Sequence, residues 1–125
     1  MSDLPDYIQA LSSAEHLDDS AVGFTNQRTD TFKAFEQAFA AGTAARPHLD
    51  WLLKNGSGAG KIYAAILIDQ LDKEAGKQAC ESLTSDDTAV EYRSSDIYES
   101  RTVGDLATGL LNGEALIIFP PSMKR

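Results

Sequence analysis

A glycine-rich turn that ends in lysine is a common device for holding phosphate, and Gly56-Ser57-Gly58-Ala59-Gly60-Lys61 has that composition. A phosphate loop follows a buried strand, spaces its glycines as Gly-x-x-x-x-Gly-Lys, and then places a Ser or Thr hydroxyl on magnesium. Here the glycine spacing is one residue short, Ile62 stands where the hydroxyl belongs, and the preceding residues read as helix. The segment is explained instead by helix ends. Gly56 stops one helix, Ser57 caps the next, and the small residues let two helices meet closely.

The other reactive residue types are scattered. His16 and His48 fall into no metal-binding spacing, and one cysteine with two distant histidines does not make a zinc site. Cys80 lies in an apolar-spaced helix, where a buried, inert thiol is expected. No Gly-x-Ser-x-Gly elbow is present. Asp18-Asp19 and Asp86-Asp87 are paired carboxylates. Acid–base chemistry needs one acid of a pair to be buried so that its pKa rises. Adjacent acids beside a helix end or a strand start are expected to face water, so no catalytic residue, metal or cofactor is assigned. One constellation remains. Asp86, Asp87, Glu91, Asp96 and Glu99 surround Tyr92 and Tyr98, and tyrosines among acids can anchor a basic partner.

The elements that must position these residues are mostly helical. Asp3-Leu4-Pro5 reads as a helix start, with Tyr7, Ile8 and Leu11 as a short apolar face. Residues 12–28 are polar, hold Gly23, and read as loop with room for a helical turn. Asp30 or Thr31 can cap a helix to Ala41, because Phe32, Phe35 and Phe39 form one stripe at helical spacing. Pro47 opens a helix that Asn55-Gly56 stops. Residues 59–71 are apolar on most sides and should form the central helix, and Asp72 caps another from Lys73 to Leu83. Residues 88–93 alternate, Ser94-Ser95-Asp96 has turn chemistry, and residues 97–103 return as a second strand. Thr102-Val103-Gly104-Asp105 has capping-box form and opens a last helix, ended by Asn112-Gly113. Glu114 to Pro121 reads as a closing strand that joins the hairpin or packs on the helices. The expected fold is α+β: a mainly helical single domain over residues 1–125, with a small antiparallel sheet toward the C-terminus.

Composition limits what such a domain can bind. The formal charge is −8, from 19 acidic and 11 basic side chains. Nucleic acids and anionic membrane surfaces attract the opposite field, so neither is expected as a partner. The only basic cluster is Lys124-Arg125. A basic protein is the partner an acidic surface suits. The single cysteine permits no internal disulfide, and Met1-Ser2-Asp3-Leu4-Pro5-Asp6 lacks the basic and apolar regions of a signal peptide. A cytoplasmic location follows as the expectation.

The stretch from Pro47-His48-Leu49-Asp50-Trp51 to Asp105-Leu106-Ala107 resembles a group of small bacterial proteins without assigned chemistry. They share a Gly-Lys-Ile/Leu-Tyr-Ala start, an apolar helix ending in Leu-Asp, an acidic turn, a short strand, and Thr-Val-Gly-Asp/Glu-Leu-Ala. Here these are Gly60-Lys61-Ile62-Tyr63-Ala64, Leu71-Asp72, Asp86-Asp87, Val90 and Thr102-Val103-Gly104-Asp105-Leu106-Ala107. Such proteins often carry Gly-Cys after the first strand, where this chain has Ser95-Asp96, so no role for that cysteine carries over. In size, acidity and lack of a reactive centre, the chain also resembles immunity proteins that neutralise bacterial toxins. That resemblance implies a non-enzymatic inhibitor covering the active site of a basic toxin or effector. Two other expectations stand beside it. An adaptor with a helical groove would expose Trp51, Phe32 and Phe35. A small ligand sensor or enzyme would place its pocket near Ser57 to Tyr63.

Overall fold

The structure is a computed structural model and describes residues 4–23, 28–120 and 123. Asp3 of the expected helix start, residues 24–27 of the expected loop, Pro121 and the Lys124-Arg125 pair lie outside the described residues. Among the described residues the chain forms α1 (Asp6–Ser12), β1 (His16–Val22), α2 (Asp30–Ala41), α3 (Arg46–Asn55), α4 (Gly58–Leu71), α5 (Lys73–Leu83), β2 (Ala89–Ser95), β3 (Ile97–Thr102) and α6 (Val103–Leu111). A 3-10 turn, Gly42–Ala45, links α2 to α3. The fold is α+β, with helices predominating.

Side-chain caps fix the starts of α2, α4, α5 and α6. Ser57 Oγ accepts the Gly60 N–H, Asp72 accepts the N–H groups of Glu74 and Ala75, and Thr102 accepts that of Asp105. α2 is capped by Thr29, which accepts the Phe32 N–H, one residue before the caps expected. Each cap satisfies a donor that the helix itself cannot. α4 has no polar face along Ile62–Ile68; all seven residues are buried, and the other five helices, β1 and β2 pack around it. The phenylalanine stripe of α2 closes one side of this core. The Phe35 ring centre lies 5.3 Å from that of Tyr63 and 5.8 Å from that of Phe119. Gly60 is required where α4 starts, because a Cβ there would collide with the Leu11 carbonyl of α1.

The sheet has the order β1-β2-β3. β2 and β3 form the expected antiparallel hairpin, in regular register from Ser94↔Ile97 to Ala89↔Thr102. The third strand is a correction. It is β1, from the stretch read as loop, and it pairs with β2 in parallel, so the sheet is mixed. Residues 114–120 form no strand. Leu116 and Ile117 are both buried, which strict strand alternation does not allow on a half-buried face. Side chains, not a neighbouring strand, bind the backbone there: the Tyr92 hydroxyl donates to the Leu116 carbonyl, and the Ile118 N–H donates to Asp19.

Candidate functional site

The register of the sheet places Asp18 of β1, Arg93 of β2 and Tyr98 of β3 side by side across one face. Arg93 Nε and Nη2 donate to the two Asp18 oxygens at 2.7 and 2.9 Å, a bidentate pair. Thr29 Oγ1, the cap of α2, donates to the same carboxylate at 2.8 Å. Asp18 is 0% exposed. A charge so placed is tolerable only when fully partnered, as it is here. The pairing also holds the Arg93 guanidinium further above its ordinary pKa. The Arg93 guanidinium stands 5.7 Å from the centre of the Tyr98 ring, and that tyrosine remains 51% exposed. At the strand edge, the Asp18 N–H donates to the Tyr63 hydroxyl at 2.6 Å; burial pushes that phenol far above its usual pKa. A continuous set of contacts therefore runs from the central helix to the surface of the hairpin.

Asp19 binds the opposite side of the sheet. Its Oδ2 accepts from Ser94 Oγ at 2.8 Å, and its Oδ1 accepts from the N–H groups of Ser20 and Ile118. From sequence, Asp18-Asp19 are expected to face water. Both are buried, with a fixed donor on each carboxylate oxygen, and they act as anchors for β1, β2, α2 and the C-terminal segment. Sequence alone could not show this, because the Arg93 that neutralises Asp18 and the Ser94 hydroxyl that donates to Asp19 each lie 75 positions away.

The seven residues expected at a partner surface divide into groups. Asp86 and Asp87 precede β2, at the base of the hairpin. Asp86 accepts from the Thr88 N–H and pairs with Lys61 at 3.4 Å; the bonds from Thr88 hold its carboxyl below the usual range. Glu91 stands mid-strand, 3.4 Å from His16. Tyr92 turns inward to Leu116, and burial raises its pKa. Asp96, Tyr98 and Glu99 come together at the hairpin tip, all exposed. A strand rises about 3.3 Å per residue, so roughly 20 Å separates Asp86 and Asp87 from the tip and the seven do not form one patch.

The structure adds Ile97, 55% exposed beside Tyr98. The signal for it was present: consecutive apolar residues on a strand point to opposite faces, so at a sheet edge one of them meets water. The tip is also negative. Arg93 is held by Asp18, and Arg101 by Asp105 and Glu114. Among the described residues, neither Asp96 nor Glu99 takes part in an ion pair. Among the described residues, no strand pairs with the outer edge of β3.

Elsewhere, the apolar patch expected of a groove-binding adaptor does not form. Phe32 and Phe35 are buried, and Trp51 alone of the three is exposed. Gly56 to Lys61 joins α3 to α4 as a helix stop and a capped start. Lys61 borders an open groove of about 580 Å³ across α3, α4 and α5. A second hollow of about 430 Å³ lies between α4, α5 and residues 110–119, and Cys80 is in its wall. That thiol is buried, and desolvation pushes its pKa up to about 11. Among the described residues, no three His, Cys, Asp or Glu side chains gather to hold a metal ion, and no helix is long and apolar enough to cross a membrane. Comparison with protein families, with curated proteins and with solved structures gives no match to this chain.

Proposed function

We propose that this chain is a cytoplasmic protein-binding domain of the immunity or inhibitor type, which occupies the surface of a basic toxin or effector and blocks its active site. The observation that carries the reading is the hairpin tip. Ile97 and Tyr98 are half exposed there, Asp96 and Glu99 are unpaired among the described residues, and the strand behind them is anchored to the core through Arg93 and Asp18. Tyrosine offers a large contact area at small entropic cost, and a rigid mount lowers the ordering penalty of association. The net charge of −8 supports fast encounter with a positive partner and rejection of a negative one. The mechanism is steric and electrostatic occlusion, with no covalent chemistry on this chain.

The test is titration calorimetry against the protein encoded beside it, at low salt. A stable complex that Tyr98→Ala weakens about tenfold or more supports the reading, since buried aromatic anchors contribute about 2 kcal/mol or more. The absence of any complex removes it.

A further inference from the structure

We infer that the outer edge of β3 is a docking site for one extended segment of a basic partner, which adds to the sheet as a fourth strand. This rests on the protein-binding reading and specifies its geometry. An edge strand presents backbone N–H and C=O groups with no neighbour, and strand addition uses those groups for affinity and the alternating side chains for choice of sequence. β3 has this form. β2 occupies one side of it in unbroken register, and among the described residues no strand occupies the other.

The register also states what the added strand should carry. Paired residues share a face, so Tyr98 lies with Arg93 on one side of the sheet, and Glu99 lies with Tyr92 on the other. Ile97, Glu99 and Arg101 alternate with Tyr98 and Ser100 along β3. Arg101 is neutralised by Asp105 and Glu114, so Glu99 is the uncompensated charge at the edge. A lysine or arginine opposite Glu99 meets it at cross-strand distance, and apolar residues opposite Ile97 and Tyr98 cover the two exposed side chains. Charge argues against a second copy of this chain in that place. Two molecules of −8 repel, and the arginine that would meet Glu99 in a self-pair is already bound.

The probe is a soluble eight-residue peptide that carries one lysine to meet Glu99 and valines at the flanking positions that meet Ile97 and Tyr98, followed by amide chemical shifts of the intact protein. Two further versions carry N-methyl groups on alternate residues, one set on each edge of the peptide. Strand addition predicts shifts centred on residues 97–102 and loss of binding for one methylated version only, because a single peptide edge faces β3. It also predicts about fivefold weaker binding to Glu99→Lys, and weaker binding still for a peptide with glutamate in place of lysine. The inference is overturned by no binding, by equal loss with both methylated versions, or by shifts centred elsewhere. Self-association of the free protein through residues 97–102 also overturns it. These results are distinct from failure of the inhibitor reading: a cognate complex that leaves residues 97–102 unshifted removes the edge and keeps the inhibitor, whereas peptide binding without any cognate complex does the reverse.

Discussion

Asp18 and Asp19 are neighbours in sequence, yet they are anchored by different groups on different parts of the fold. Removing the Asp18 carboxylate leaves the Arg93 guanidinium without its partner and Thr29 without its acceptor. Asp18→Ala is therefore expected to lower stability by about 3–5 kcal/mol in urea unfolding, while the exposed Asp87→Ala stays within about 0.5 kcal/mol of the parent. Asp86 has a pH signature. Its folded-state pKa is depressed by the bonds from Thr88, so its contribution is complete above the ordinary carboxylate pKa and is lost as pH falls through the depressed value. The stability gap between the parent and Asp86→Asn should be constant near neutrality and close on acidification; a gap that widens in acid contradicts the assignment. Cys80, with a pKa of about 11, carries roughly a hundredfold less thiolate near neutral pH than an ordinary thiol, so thiol reagents should label it slowly until denaturant opens the core.

At the scale of elements, the contact between α1 and α4 gives a prediction whose sign separates local propensity from packing. Alanine for glycine inside a helix ordinarily stabilises by up to about 1 kcal/mol. Gly60→Ala should instead destabilise by about 1–3 kcal/mol, because the new Cβ meets the Leu11 carbonyl. A higher melting temperature for this variant contradicts the packing described. The same contrast explains which elements were readable in the sequence. The caps at Ser57, Asp72 and Thr102, the phenylalanine stripe and the 94–96 turn are local signals, and each appears in the fold. β1 is hidden because Asp18 and Asp19 interrupt any apolar alternation, and their hydrogen-bond donors come from β2, the cap of α2 and the C-terminal segment. Residues 114–120 misled in the opposite way. They have strand composition, but Tyr92 and Asp19 take the backbone groups that a ladder needs. Of the candidate site, the hairpin is legible in its turn and alternating strands, while only the sheet register shows that Tyr92 faces inward and that Ile97 joins Tyr98 at the open edge.

For the whole molecule, the proposed role rests on an excess of carboxylates and on a hairpin that is anchored to the core and open at its outer edge among the described residues. Encounter between opposite fields is screened by salt, so raising ionic strength from about 0.05 to 0.5 M should slow association with a basic partner far more than it speeds dissociation. The most direct measurement is amide hydrogen exchange on the complex with the protein encoded beside this one. Slowed exchange is expected to concentrate in residues 94–102, with α3 and α5 unchanged. Protection confined to the helical faces, with the hairpin exchanging as fast as in the free protein, would contradict it.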